Sequence, residues 1–126
     1  MSGAIEALQE AVITALSGIA PIYDGPPPRA DFPYIVMSES PVTDWSTKTA
    51  TGREIRLALT IWDNGEEPAR LRTLTRQVED ALQTLPRDLP GWRIASSIFV
   101  RSLTSRSPAG PWAVLIEQRM RMLGAG

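Results

Sequence analysis

The chain has 126 residues, of which 43% are hydrophobic and 21% charged, so it is long and apolar enough for one globular domain over residues 1–126. Its formal net charge of -1 gives no general reason to expect a duplex DNA or membrane partner. The absence of cysteine excludes disulfides and thiol chemistry, and the absence of histidine removes the commonest general base and metal ligand. We therefore expect no cofactor, no metal and no enzymatic activity.

The first half of the chain is predicted to form a helix and two strands. Apolar residues at spacings of three and four predict an amphipathic helix that ends before Pro21: Ile5, Leu8, Val12, Ala15, Leu16 and Ile19. The proline-rich residues 24–33 predict a stiff surface connection. A strand follows over Tyr34–Ser40, then a polar loop over residues 41–52, then a strand over Arg53–Asp63 in which apolar residues alternate with polar ones.

The second half repeats this order. Residues 63–65 (Asp-Asn-Gly) predict a turn, and residues 66–68 (Glu-Glu-Pro) predict the start of the second helix, because acids and proline are favoured in a first turn. The carboxylates of this segment lack the spacing of a metal-binding loop. Two further strands are predicted over Trp92–Leu103 and Trp112–Leu123, and alternation in the second predicts that Val114, Ile116, Met120 and Met122 point to the core. The order α-β-β-α-β-β indicates an α+β domain of two layers, with a mainly antiparallel four-stranded sheet and two helices on one face.

The sheet face that points away from the helices is the first candidate site. Strand alternation places there five arginines and two aromatic residues, which are Arg56, Trp62, Arg93, Phe99, Arg101, Arg119 and Arg121. Glu54 and Glu117 are predicted on the same face, so five arginines against two glutamates leave a local charge of +3. Arginine and aromatic residues are enriched at subunit interfaces, but they also stack single-stranded bases on open sheets. We predict that this face is a subunit interface, and a nucleic-acid surface and a solvated face with ordinary salt bridges are the two alternatives.

The polar loop over residues 41–52 is the second candidate site. Its central residues form a predicted docking segment: Asp44, Trp45, Ser46, Thr47, Lys48 and Thr49. Only Val42, Trp45 and Ala50 are apolar in this loop, so little burial offsets the entropy of ordering it, and we expect it to be mobile in the free protein. Because tryptophan is prominent among interface residues that contribute most of the binding free energy, we expect Trp45 to be the anchor.

Three sequence strings, spread over nearly the whole chain, resemble the phage tail-completion family, long catalogued as a domain of unknown function. IYDGPPPRADFPYIVM is similar to the family's proline-rich approach to its first strand. DWSTKTATGREIRLALTIWD combines an Asp-Trp-Ser-Thr-Lys pattern with a glycine and an alternating strand that ends in tryptophan. GWRIASSIFVRS is similar to a later strand of the family.

The resemblance implies a structural subunit of a phage, prophage or gene transfer agent tail. Such proteins form a ring, hexameric in long-tailed phages, that caps the tail tube, ends its polymerisation and receives the head. The implied partners are further copies of the chain, the tail tube protein and the head-tail connector protein; DNA passes through the lumen without sequence-specific binding, and no membrane takes part. The implied locations are the host cytoplasm during assembly and then the head-tail junction of the virion. A head-tail connector subunit and a sheet-face binder of single-stranded nucleic acid are the alternatives.

Overall fold

A computed structural model describes residues 3–108 and 110–125, which form two helices and a curled sheet of seven strands. In chain order the elements are α1 Ala4–Leu16, β1 Ile22–Asp24, β2 Tyr34–Met37, β3 Val42–Asp44, β4 Gly52–Asp63, α2 Ala69–Gln83, β5 Asp88–Leu89, β6 Trp92–Arg106 and β7 Trp112–Gly124. The predicted α+β class is confirmed. The predicted four-stranded antiparallel sheet is wrong, because the sheet has three additional short strands and is mixed, with β1 parallel to β2.

The long strand β4 organises the sheet. The strand order is β1-β2-β4-β7-β6-β5, and β3 also pairs with β4. One edge of β4 pairs antiparallel with β7 along its whole length, from Gly52 opposite Leu123 to Asp63 opposite Trp112. The other edge is shared, since β2 pairs with the second half of β4 and β3 pairs with the first half. A twelve-residue strand thus provides a template for two short strands that have little periodicity of their own.

Both helices contribute to a core on one face of the sheet. Along β4 and β7 every second residue is buried, and the apolar ones are Ile55, Leu57, Leu59, Ile61, Val114, Ile116, Met120 and Met122. The helices contribute buried side chains to the same cluster, among them Leu8, Val12, Leu16, Leu71, Val78 and Leu82. A register slip of one residue would move the whole apolar set to solvent, at roughly 1.5–3 kcal/mol per side chain. The predicted inward faces of these two strands are confirmed.

The start of α2 differs from the prediction. The helix begins at Ala69, so Glu66 and Glu67 lie in the connection that precedes it and are exposed. Asp63 is not a turn residue but the last residue of β4, and only 1% of it is exposed. The Arg70 guanidinium donates two hydrogen bonds to its carboxylate, one of them from Nε to Oδ2 at 2.9 Å. This acid therefore joins the end of β4 to the first turn of α2.

Two β-bulges decide which face each residue of β6 occupies. The pairing with β7 shifts by one residue before Ser96 and again before Arg101, and each shift reverses the alternation of side chains. Between the bulges Phe99 opposes Gln118, which is buried on the helix side. The prediction that Phe99 lies on the outer face is therefore wrong. After the second bulge Arg101 opposes Glu117 on the outer face, as predicted.

Candidate assembly surface

The outer face of the sheet, opposite the helices, carries arginines that share glutamates. Glu54 on β4 lies directly opposite Arg121 on β7 and accepts a hydrogen bond of 2.9 Å from the Nε atom of that arginine. The Nε atom of Arg119 lies 4.0 Å from the same oxygen of Glu54. One carboxylate thus partly neutralises the charge of two neighbouring guanidinium groups. All three side chains are about one third exposed, so they form a partly covered cluster.

Glu117 forms the second half of this arrangement. Its Oε1 atom accepts hydrogen bonds from Arg101 on β6, from Nε at 3.1 Å and from Nη2 at 2.9 Å. Its Oε2 atom lies 3.8 Å from Nη1 of Arg56 on β4. Arg56 and Arg119 are direct cross-strand partners, and like charges in that position destabilise a sheet. The two glutamates offset this cost, and four arginines against two glutamates leave a charge of +2.

The other predicted face residues lie at the two ends of this cluster. Arg93 opposes Leu123 near the start of β6, and its Nε atom lies 4.0 Å from Asp88, so its charge has a separate partner. Trp62 opposes Ala113 at the far end of β4 and is half-buried. The structure therefore brings together four of the five predicted arginines. It leaves Arg93 and Trp62 on the same face but outside the ion-pair cluster.

Residues 41–52 form a β-hairpin with the start of β4 rather than a loop without regular structure. β3 pairs with residues 53–55, and the hairpin closes through a hydrogen bond of 2.9 Å from the Trp45 backbone N–H to the Gly52 carbonyl. The Ser46 hydroxyl donates to Asp44 Oδ1 at 2.6 Å, and it accepts from the Gly52 N–H at 2.9 Å. The hydrogen bond from Ser46 lowers the pKa of Asp44 below its ordinary value. The predicted loop is wrong for residues 42–44, which form β3. The sequence does not reveal this strand because its side chains are all exposed and show no alternation.

The tip of the hairpin presents the remaining residues of the predicted docking segment. Thr47 donates its backbone N–H to the Ala50 carbonyl at 2.9 Å, and its Oγ1 accepts from the Ala50 N–H at 3.1 Å. Lys48 and Thr49 lie between these two residues and are exposed. Mobility of the tip in the free protein stays a prediction, which hydrogen exchange at residues 46–51 with and without an assembled partner would test.

Trp45 joins the two candidate sites. The guanidinium carbon of Arg121 lies 5.3 Å from the centre of the Trp45 ring, and the indole is half-buried. The hairpin therefore folds against the ion-pair cluster instead of extending away from it. We call the continuous patch the outer-face surface, and its residues are Trp45, Glu54, Arg56, Arg101, Glu117, Arg119 and Arg121. Arginine stacked on tryptophan beside shared carboxylates provides several hydrogen-bond donors and one large apolar ring, a composition typical of protein interfaces.

The far half of β6 carries exposed apolar side chains that were not predicted from the sequence as a candidate site. Leu103 is 56% exposed and Ile98 is 45% exposed, which is unusual for large apolar side chains within a strand. Ile98 opposes Arg119 and Leu103 opposes Leu115, so both side chains lie on the face of the sheet that no helix covers. The signal in the sequence was the run Ile98-Phe99-Val100, in which three consecutive apolar residues cannot share one face.

The described residues do not contain a metal centre or a membrane span. Within residues 3–108 and 110–125, no group of three or more acidic side chains is placed so that it could hold a metal ion. Neither helix in the described ranges has the length and apolar composition needed to cross a bilayer.

Comparisons with known proteins give a family match and similar solved structures. The family model described as tail completion protein gp17 matches residues 5–123. A chain from the virion of a native gene transfer agent particle superimposes with a TM-score of 0.83 at 22% identity, covering 98% of this chain and 100% of that one. The gp17 protein of bacteriophage SPP1 superimposes with a TM-score of 0.59 at 19% identity, covering 91% of this chain and 88% of that one. No curated protein sequence matches the chain.

Proposed function

Because the chain belongs to the tail completion protein gp17 family, we propose that it is a ring-forming subunit that caps the tail tube of a phage-like particle. A structural role in a phage-like tail follows from family membership. In the proposed role a ring of six copies ends polymerisation of the tube and provides the surface to which the head docks. Its partners are the tail tube protein on one side and the head-tail connector protein on the other, and DNA passes through the lumen without sequence-specific binding.

The observation that carries this proposal is the extent of the family match, which covers nearly the whole chain. The fold of a chain in a gene transfer agent virion supports it, because that likeness extends over both chains almost completely. Two features of the structure fit a ring subunit. A closed ring joins identical copies through surfaces that match head to tail, and the uncovered edge of β6 is available for such a contact. The uncovered outer face then remains free for docking.

The outer-face surface is the proposed docking site for the tube or the head. It is rich in arginine and continuous with the hairpin tip that carries Lys48 and Thr49. Tube docking through Trp45 and the hairpin tip would order the tip and bury the indole. Buried aromatic and arginine side chains supply most of the binding free energy at protein interfaces.

The experiment is to add the purified protein to growing tail tubes and to image both by negative-stain electron microscopy. The proposal expects rings on tube ends and tubes of limited length, whereas tubes without the protein continue to grow. A protein that stays monomeric at every concentration beside tubes of unlimited length contradicts it. Rings that bind the head connector without limiting tube growth favour a connector subunit, and salt-sensitive binding of single-stranded oligonucleotides without rings favours the nucleic-acid alternative.

A further inference from the structure

The far half of β6 has an edge with no strand partner in the described part of the chain. β5 pairs with β6 only at Trp92 and Arg93, and Ile94 is covered by a backbone hydrogen bond to Arg87. From Ser96 onwards the strand pairs with β7 alone. Free N–H and C=O groups along a strand of this length are a template for pairing with another chain.

Exposed apolar side chains are concentrated on this strand and on β3. Among the described residues six large hydrophobic side chains are exposed, of which four lie on β6 and one on β3: Ile98, Phe99, Val100, Leu103 and Val42. The sixth is Ile13 on α1. Arg101, Asp44 and the two β-bulges limit uncontrolled pairing at these edges, so the apolar side chains beside them favour one specific partner. The distribution therefore identifies two strand edges that are suited to be covered.

The free edge of β3 follows from its hydrogen bonds. Trp45 and Pro41 both use their backbone to bind β4, at 2.9 Å and 3.0 Å. Because ladder bonds of an antiparallel pair alternate along the strand, Val42 and Asp44 direct their N–H and C=O groups away from β4. These groups form an edge on the side of the sheet opposite to β6.

The directions of the strands allow these two edges to meet. β3, β4, β7 and β6 are consecutive neighbours, and each pair is antiparallel, so β3 and β6 run in opposite directions. If a second copy in the same orientation is placed beside the first, its β3 meets β6 as an antiparallel partner. The sheet then continues across the contact with its alternation intact. Repetition of one such head-to-tail contact by rotation closes a ring.

The two edges also differ in formal charge, although Arg101 pairs with Glu117 and Asp44 pairs with Arg53 within the chain. β6 from Ser96 to its end contains Arg101 and Arg106 and no acidic residue. The segment 38–44 contains Glu39 and Asp44 and no basic residue. Opposite charges on facing surfaces increase the rate of encounter and disfavour wrong registers.

We propose that the edge of β6 over Ser96–Arg106 pairs antiparallel with β3 of a second copy, and that this contact joins the subunits of the ring. The inference rests on the proposed function, for which it names the subunit interface. Because β3 has three residues, the contact spans part of this edge, and it brings Val42 beside exposed apolar side chains of β6 such as Phe99. The outer-face surface then lies on one side of a continuous sheet. That surface remains available to the tube or the head.

Engineered cysteine pairs test the contact, because the chain has no cysteine of its own. Val42 opposes the buried Ile55, so it lies on the helix-side face, and Phe99, Ser102 and Thr104 are exposed β6 residues on the same face. Val42→Cys is combined in turn with Phe99→Cys, Ser102→Cys or Thr104→Cys. We expect at least one pair to give, on oxidation, a ladder of covalent oligomers that ends at the ring size.

Matched controls combine Val42→Cys with Leu103→Cys or Ser105→Cys, which lie on the opposite face of the same strand and whose Cβ vectors point away. We expect these controls to give no ladder, and circular dichroism verifies that every variant is folded. Rings in the microscope without a ladder from any of the three test pairs overturn the edge pairing and leave the ring function intact. A ladder that is equally strong in the controls overturns the edge pairing too. The absence of both rings and ladder overturns the two proposals together.

Discussion

Individual side chains on β4 and its neighbours differ in how much the fold depends on them. Trp45 is half-buried on the outer face and contacts Arg121, and an exposed pair of this kind contributes about 0.5–1 kcal/mol. Asp63 is buried at the end of the same strand and holds Arg70 through two hydrogen bonds. The first residue therefore matters mainly for what binds the surface, and the second matters for folding.

We expect Trp45→Ala to leave the melting temperature nearly unchanged and to weaken ring closure or docking to the tube. Removal of a tryptophan anchor from an interface costs about 2 kcal/mol or more, which is on the order of a thirtyfold rise in Kd. Analytical ultracentrifugation measures the association, with Gln77→Ala on the exposed face of α2 as the control. A large loss of stability together with normal assembly would show that Trp45 belongs to the core.

We expect Asp63→Asn to lower the free energy of unfolding by about 1–3 kcal/mol at neutral pH, because a charged acceptor is removed from a buried network. Urea denaturation measures the change. Glu66→Gln changes an exposed acid three residues later and should stay within about 0.5 kcal/mol of the wild type. Equal destabilisation by both variants would mean that the ion pair with Arg70 does not contribute measurably to the free energy of unfolding.

The same residue predicts a pH dependence of stability. Hydrogen bonds from Arg70 lower the pKa of Asp63 from its ordinary value of 3.8. A group whose pKa is lower in the folded state stabilises the fold fully above its unfolded pKa, and it loses this effect as the pH falls through the folded value. Wild-type stability should therefore decline on acidification below about pH 4, and the curve for Asp63→Asn should be flatter there. Parallel curves for the two proteins would contradict this assignment.

Among the elements, the hairpin of β3 and β4 depends on a close approach between two backbone segments. Gly52 is buried beneath the Trp45 carbonyl, and a Cβ atom at this position would overlap the Trp45 carbonyl group. The Gly52 N–H also donates to the Ser46 hydroxyl, which ties the tip to the start of β4. A residue without a side chain is thus required where the hairpin closes.

We expect Gly52→Ala to destabilise the protein by about 1–3 kcal/mol, the usual cost of overpacking, and to increase hydrogen exchange at residues 42–52. Gly18→Ala is the matched control, since no atom lies within 4 Å of a Cβ placed there. That control should be neutral or slightly more stable because alanine restricts the unfolded chain. The two substitutions are compared by thermal denaturation. A stable Gly52→Ala variant with an unchanged exchange pattern would contradict the close approach.

At the scale of the whole molecule, helices cover only one face of the sheet. Both helices pack on one face of the sheet, so the other face keeps its charged cluster in contact with solvent and β6 keeps an uncovered edge. An antiparallel sheet tolerates this arrangement because its outer residues are polar and its inner residues supply the core. The same one-sided layering leaves two separate surfaces for assembly: the outer face and the sheet edges.

We expect a chelator to leave the melting temperature of the molecule unchanged. The chain lacks cysteine and histidine, and a metal bound only to the native state would raise the melting temperature and be lost on chelation. Differential scanning fluorimetry with and without EDTA measures this, with added magnesium as the control for the chelator itself. A fall of several degrees that excess metal reverses would establish a structural metal.

The sequence by itself predicted both helices and the inward faces of β4 and β7, because each of these elements has a long periodic pattern. When apolar and polar residues alternate over ten or more positions of a strand, only one face of that strand can be buried. The three strands of two or three residues, β1, β3 and β5, are too short for any pattern, and their existence depends on the free edges of neighbouring strands. The face of Phe99 depends on bulges that arise only when β6 pairs with β7. The contact between Trp45 and Arg121 joins residues far apart in the chain, so only the tertiary structure decided that the predicted docking segment and the predicted sheet face are one surface.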